Sequence, residues 1–260
     1  MRYANSRRVY KVKIGLLCLS LGLVFGSASI ASAQNLLSNG NLDVMYNQEI
    51  VPGFFLPKPN QWTNTGSRSS TGAYEDEMSS EPWAGPAPTP VTTDGFNVTT
   101  NEDFNNDWGV FFKPFSGTST DLATGNLFQD VAGTPGLQYT MTGWAGAEAN
   151  ALMGGAVFAI DFLNAGLGVI STSTLNLLPT LFTPNGQPFN YKFYSLSGTA
   201  PAGTAWVRSR VSMINAQSNP AGGGQAFVVD DFTLTVVPEP ATMAVLGFGA
   251  LALLRRRSKK

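Results

Sequence analysis

The second half of the chain alternates short apolar runs with turn-forming segments. Between residues 137 and 142 apolar and polar residues alternate at every position, which places Leu137, Tyr139 and Met141 on one face of an extended segment. A period of two predicts a β-strand with one face in a core and the other in water. Runs of β-branched and aromatic residues predict strands at residues 108–112, 127–131, 137–144, 156–162, 189–194, 205–211 and 227–236.

The segments between these strands carry turn signals such as Gly-Thr-Pro-Gly and Pro-Asn-Gly, and none has a helical period long enough to predict a helix. Nearer the N-terminus, residues 35–43 are expected to form a short strand followed by a glycine-containing turn. Many short strands with long connections predict an all-β fold, a jelly-roll β-sandwich over residues 34–236.

Residues 67–107 interrupt this pattern, and we expect them to form a long loop insertion. The surrounding chain is rich in Pro, Gly, Ser and Thr, a composition typical of loops with short extended pieces. Eight carboxylates and no Lys or Arg lie between residues 75 and 107. The segment is either a solvated acidic loop or a cation-binding site, and the sequence leaves both open.

An apolar run near each terminus predicts export. At the N-terminus, basic residues precede an apolar run at residues 14–25 and a small-residue site at Ala31 and Ala33. This arrangement is typical of a secretory signal peptide, predicted over residues 1–33 with cleavage after Ala33.

The C-terminus has three parts in a fixed order. Val237, Pro238, Glu239 and Pro240 come first, then an uncharged apolar run at residues 241–254, then a basic end. Proline discourages a helix from continuing through the first part. The apolar run predicts a short hydrophobic helix, below the roughly twenty residues that cross a bilayer comfortably. The basic end favours the cytoplasmic side, so the segment predicts a transient anchor in the inner membrane.

These C-terminal residues resemble the bacterial PEP-CTERM sorting signal, with the Pro-Glu-Pro at Pro238 to Pro240 and a terminal Arg255, Arg256 and Arg257. The resemblance covers residues 237–260. It implies that an exosortase, a membrane processing enzyme, recognises the segment, cuts near the Pro-Glu-Pro and delivers the body to the cell surface or the extracellular matrix. The alternative is an ordinary C-terminal anchor that is never cut.

The charge of the body differs from that of the whole chain. Ten of the 16 Lys and Arg lie in the two terminal segments, whereas all 17 Asp and Glu lie between residues 43 and 239, so the body carries a net charge of −11. An acidic body does not favour nucleic acid as a partner. The chain has no His, and its one Cys lies in the signal peptide, which excludes the usual Ser-His-Asp and Cys-His catalysis and imidazole zinc sites.

The closing strand carries a candidate site. If Phe232 and Leu234 face the core, a period of two places Asp230 on the same inward face and Asp231 on the outward face. A carboxylate among core residues must be paired, hydrogen-bonded or bound to a metal. Because Asp230 and Asp231 point to opposite sides, they do not form the carboxylate pair that hydrolysis of a glycan needs, and no enzyme activity is expected.

A second resemblance concerns the body. An opening Asn-Leu-Leu-x-Asn-Gly at residues 35–40, a Leu-x-Gln-x-Val at residues 127–131 and a closing Val-Asp-Asp-Phe at residues 229–232 resemble the galactose-binding-like jelly rolls of carbohydrate-binding modules. The resemblance implies a structural Ca²⁺ held by Asp43 and Asp230. The alternative is that backbone N–H groups satisfy Asp230.

Tryptophans are candidates for stacking on sugar rings. Trp62 and Trp108 are assigned to the core, whereas Trp83 in a proline-rich loop and Trp206 beside Arg208 are the candidates for sugar contact. Together these features predict an exported cell-surface or matrix protein whose noncatalytic sandwich binds or structures extracellular polysaccharide, as in a biofilm. The alternatives are a secreted glycan-active enzyme that uses carboxylates and a coat protein without a ligand.

Overall fold

The computed structural model describes the body of the chain, at residues 34–69, 72–73, 78–81, 108–114, 120–185 and 190–237. The chain divides into two units, residues 1–32 and 33–260, and every described residue belongs to the second. The predicted signal peptide and all of the predicted sorting segment beyond Val237 lie outside the described residues. Among the residues that are described, no helix has the length and apolar character needed to cross a bilayer.

The described residues form strands and one helical turn. The strands are β1 Met45–Val51, β2 Phe54–Pro59, β3 Thr63–Arg68, β4 Gly72–Ala73, β5 Met78–Glu81, β6 Gly109–Phe112, β7 Ala123–Ala132, β8 Gln138–Ala147, β9 Gly155–Leu163, β10 Val169–Asn176, β11 Lys192–Thr199, β12 Trp206–Ala216 and β13 Phe227–Val237. The helical turn is α1, Leu178–Leu181. The prediction of an all-β fold is confirmed.

Two antiparallel sheets carry almost all of these strands. A six-stranded sheet has the order β10-β9-β12-β7-β3-β4, and a five-stranded sheet has the order β11-β8-β13-β6-β5. From β6 onward, successive strands pass from one sheet to the other at every connection except that between β9 and β10. The sheets face each other across one core, so the fold is the predicted jelly-roll β-sandwich.

The core between the sheets is built from the inward positions of both. Phe232 of β13 lies at its centre, with ring centroids 5.3 Å from those of Trp62 and Phe158. A Cβ on Gly143 would come within 2.6 Å of the Phe232 ring, so this position of β8 has room only for glycine. Trp62 is in the core as predicted, whereas Trp108 is half-buried and lies outside it.

The structure differs from the strand prediction in several places. β1, β2 and β3 are not among the predicted strands. Residues 35–43 contain the predicted glycine turn, at residues 38–41, but no strand. The segment predicted as a loop insertion contains β4 and β5 at the sheet edges, with residues 82–107 outside the described part. Strand β10 was not predicted because its sequence, VISTSTLN, is largely polar, as is typical of an exposed edge strand.

The turns at residues 35–43 attach the start of the body to the sandwich through side chains. Gln129 of β7, which is buried, accepts the N–H of Ser38 at 2.7 Å and donates to the carbonyl oxygens of Ser38 and Gln61, both at 2.9 Å. This glutamine is the central residue of the Leu-x-Gln-x-Val motif. Its amide therefore joins the opening segment to β7.

We expect Q129A to lower the free energy of unfolding by about 2–3 kcal/mol, because one donor and two acceptors of the backbone lose a buried partner. Q138A is the matched control, since Gln138 is exposed at the start of β8. Urea unfolding followed by circular dichroism measures both. If the free energy of unfolding of Q129A equals that of Q138A within error, the opening segment is held by other contacts.

Candidate functional site

The closing strand β13 contains a β-bulge beside Asp230. Its pairing with β8 shifts by one residue between Asp230 and Thr233, and Asp231 has a φ of +51°. An extra residue in one strand reverses the alternation of faces beyond it. The inward positions are therefore Phe227 and Val229 before the bulge and Phe232 and Leu234 after it, all of which belong to the main core.

Asp230 consequently faces away from the main core, and the predicted inward orientation is wrong. Val228, two residues earlier on the same face, packs in a second cluster with Phe111, Tyr191 and the half-buried Trp144. Asp230 pairs across the strands with Trp144 and is fully buried. The prediction that Asp230 is buried is confirmed, but it is the outer cluster that covers it.

The two candidate calcium ligands both lie at the start of β6. Asp43 accepts the N–H of Trp108 at 2.9 Å through Oδ1 and the side-chain amide of Asn41 through Oδ2. Asp230 accepts the N–H of Asp231 at 2.7 Å. A Cβ on Gly109, the residue after Trp108, would lie 3.5 Å from Oδ2 of Asp230.

Both oxygens of Asp43 and one oxygen of Asp230 accept N–H groups, and this arrangement leaves both the metal and the hydrogen-bonding alternative open. Among the described residues, no group of three or more acidic, Cys or His side chains is placed to hold a metal ion. Calcium binding at Asp43 and Asp230 therefore stays a prediction.

That prediction is tested by the melting temperature in millimolar Ca²⁺ and in excess chelator. A structural calcium raises the melting temperature of the wild-type chain, because it binds only the folded state. We expect D230A to abolish the shift, and D43N to reduce it. A melting temperature that chelator leaves unchanged would contradict calcium binding and leave hydrogen bonding as the role of both carboxylates.

The outer face of the six-stranded sheet carries a second candidate site. Val207, Val211 and Met213 of β12 point into the core, so Trp206, Arg208 and the other alternate residues point outward. Trp206 is exposed over 37% of its surface, as predicted, and it shares this face with both arginines of the strand. We call this surface, formed by Trp206, Arg208, Arg210, Phe128, Asp130 and Asp161, the arginine face.

Each arginine of this face is held by a carboxylate of a neighbouring strand. Arg208 donates from Nε and Nη2 to the two oxygens of Asp130, at 2.6 and 2.8 Å. Arg210 donates to both oxygens of Asp161, at 2.7 and 3.1 Å. The pairing with Asp130 raises the pKa of Arg208 above its already high value, so this guanidinium stays charged.

The arginine face combines flat and polar groups whose charges cancel. The guanidinium carbon of Arg208 lies 3.8 Å from the centre of the Phe128 ring, a cation–π contact. Ser212 links Arg210 to Asn126 through hydrogen bonds of 2.7 Å each. Such a surface offers stacking planes and oriented donors and acceptors without a strong field of one sign, which suits a neutral, hydroxyl-rich ligand.

Sequence reasoning identified Trp206 but missed the partners of its neighbours. Phe128 and Asp130 lie on β7, and Asp161 lies on β9. All three are distant from Arg208 and Arg210 along the chain, and only the pairing register of β12 places them beside its arginines. Alternation along β7 marks Phe128 and Asp130 as sharing one face, but not which strand is adjacent. The other candidate, Trp83, lies outside the described residues.

A polar pocket of about 320 Å³ lies at one end of the five-stranded sheet. Its lining is formed by the end of β8, the loop that follows it, the loop before β13 and the residue Asn190. The lining residues are Ala147, Glu148, Ala149, Asn150, Asn190 and Gly224. Glu148 accepts the N–H of Ala226 at 2.7 Å, so its carboxylate also holds the loop together.

Comparison with known families matches the end of the chain. Residues 236–258 match the PEP-CTERM protein-sorting motif. No curated protein matches the chain in sequence.

Three solved structures illustrate what the body is similar to. The enzymatically active domain of tailspike protein 4 from bacteriophage CBA120 is 12% identical, with a TM-score of 0.47 over 78% of this chain and 21% of that chain. TmCBM61, solved with β-1,4-galactotriose, is 15% identical, with a TM-score of 0.40 over 79% of this chain and 100% of that one. The CBM22-1 xylan-binding domain of Paenibacillus barcinonensis Xyn10C is 9% identical, with a TM-score of 0.39 over 80% and 97%.

The chain spans about a fifth of the tailspike structure, and at these identities the similarity concerns the fold alone. The protein is a jelly-roll β-sandwich that carries a PEP-CTERM sorting motif at its C-terminus.

Proposed function

We propose that this protein is exported and sorted to the cell surface or the extracellular matrix by an exosortase-type enzyme, and that its sandwich is a noncatalytic module for extracellular polysaccharide. The observation that carries the sorting part is the position of the motif. Its match begins at residue 236, within the last two residues of β13. The described sandwich therefore ends at Val237, immediately before Pro238.

The place of β13 in the fold supports this proposal. β13 is the central strand of the five-stranded sheet, and Val237 still pairs with Gln138 of β8. A cut at or beyond Pro238 removes no residue of the described sandwich. Processing in the Pro-Glu-Pro region thus releases or transfers an intact folded body.

We expect the exported chain to begin at residue 34 and to have lost the residues that follow the cut near Pro238. Intact mass spectrometry of the surface or extracellular fraction reports both ends at once. The variant P238A/E239A/P240A should keep its C-terminal segment and stay with the membrane fraction.

The matched control is S195A, which removes an exposed hydroxyl group of β11 outside the motif and should be processed as the wild type. A wild-type chain that keeps residues 238–260 at the surface would identify the segment as a permanent anchor. A chain recovered from the cytosol with both ends intact would refute export.

The arginine face is the surface that we propose for polysaccharide. Trp206 supplies an exposed apolar plane, and the paired guanidinium and carboxylate groups beside it supply fixed hydrogen-bonding partners. The two ion pairs bring no net charge to this face, which favours a neutral glycan over a charged polymer. Its position on a sheet, rather than on loops, holds the groups in fixed geometry.

We expect W206A to lower the affinity for a bound glycan at least about tenfold, because the ring loses its stacking contact. A glycan array on the purified chain identifies the ligand, and titration with that glycan measures the change. The control is F193A, since Phe193 is a more exposed aromatic residue on the other sheet and should leave the affinity unchanged.

Equal affinity in wild type and W206A would exclude this face as the binding site. Hydrolysis of the same glycans by the wild-type chain would favour the glycan-active enzyme. An array without any binding would favour a structural coat protein.

A further inference from the structure

The ribbon formed by β1 and β2 carries five of the exposed large apolar residues of the described body. Among the described strands, these two pair only with each other and form a separate two-stranded sheet. They join through a turn at Pro52 and Gly53, where Gly53 has a φ of +80°. Around this turn, Val51, Phe54 and Phe55 are exposed over 41%, 46% and 52% of their surfaces. We call these three residues with their turn the ribbon tip.

Apolar side chains occupy both faces of the ribbon tip. Val51 and Phe54 are directly paired across the strands and so share a face. Phe55 follows Phe54 and points to the opposite face, beside Glu49. A ribbon that docks on another protein through one face is apolar on that face and polar on the other, whereas here each face carries an exposed apolar side chain.

The charges near the ribbon tip are few and already engaged. The described ribbon carries one acid and one base. Glu49 accepts the N–H of Gly53 at 2.9 Å and so closes the turn. Lys58 is buried at the base, where it donates to the side chain of Asn64 at 3.0 Å. The ribbon tip therefore has no basic group that would attract anionic lipid or a polyanion.

From these observations we propose that the ribbon tip inserts into the interfacial layer of a lipid membrane. Lipid surrounds an inserted segment and so covers Val51 and Phe54 on one face and Phe55 on the other. A second copy of the chain or a flat partner surface would cover only one of these faces. Because the strand edges of the ribbon have no further partner among the described strands, insertion stops at the boundary of headgroups and acyl chains, where water still reaches the backbone. The sorting motif brings the chain to a membrane, but the contact made by the ribbon is a different one.

The test uses a fluorescent label at the tip of the full chain, so that membrane binding through the C-terminal segment does not confuse the result. The only cysteine is Cys18. A chain with C18S and F55C is labelled with nitrobenzoxadiazole and mixed with phosphatidylcholine vesicles whose acyl chains are brominated. We expect a blue shift and quenching of the label on addition of lipid. The control is the same label in C18S/F193C, on a broad sheet face, where no change is expected.

A second variant tests the apolar surface itself. Adding V51S and F54S to the labelled chain should lower the ratio of inserted to free tip at least about tenfold, because two apolar side chains are lost from the inserted part. These residues are about half exposed, so folding should be unaffected, and circular dichroism checks this. An unchanged ratio would overturn the proposal.

Three further results would overturn it. The first is a label at position 55 that does not respond while flotation shows the chain on the vesicles, and the second is a chain that does not bind at all. The third is a label that is already blue-shifted without lipid, because the tip is then covered by protein. Sedimentation would show in that case whether the cover is a second copy of the chain.

Discussion

The backbone hydrogen bonds on one side of β13 hold this structure together. β13 lies between β8 and β6, but β6 is short and pairs only with residues 227–229. Beyond the bulge, the opening segment takes its place. Phe232 donates its N–H to Gly40 and accepts from the side chain of Asn35, and Leu234 donates to Asn35 and accepts from the N–H of Leu36. Buried backbone groups need such partners, so the sandwich closes only when its first and last residues meet.

The same arrangement places the two ends of the body together. The N–H of Leu36 lies 2.8 Å from the carbonyl oxygen of Leu234, so the residues after the predicted signal peptide start beside the last residues of β13. The sorting motif follows directly. Since β8 runs antiparallel to β13, Gln138 pairs near this end while Ala147 pairs with Phe227 at the other. The pocket beside Glu148 therefore lies at the end of the five-stranded sheet away from Val237.

The acidic body has few basic residues, and four of them are paired with carboxylates or buried. Arg208 and Arg210 form ion pairs on the outer face of the six-stranded sheet, Arg68 lies 3.7 Å from Asp121, and Lys58 is buried. Bidentate pairs at a sheet surface such as those of Arg208 and Arg210 fix geometry more than they add stability. Elsewhere on the described surface hydroxyl groups bond to each other, as in the bond of 2.6 Å between Thr142 and Thr233 on the five-stranded sheet.

Patterns among neighbouring residues were enough to predict most of the later strands and the terminal segments, and to exclude catalysis that needs histidine. Alternation predicted β8 and its inward Tyr139 and Met141, and the tripartite end predicted the sorting motif, because both signals lie within a few neighbouring residues. The absence of His was equally plain.

Tertiary structure alone decided the rest. Alternation predicted the wrong face for Asp230, because a bulge that depends on partner strands reverses the period. The arginine face depends on a register that brings Asp130 and Asp161 beside β12. The ribbon tip is exposed because neither of the two larger sheets covers it. Each of these features depends on contacts between residues that are far apart along the chain, whereas a sequence pattern reflects only residues that are close together in sequence.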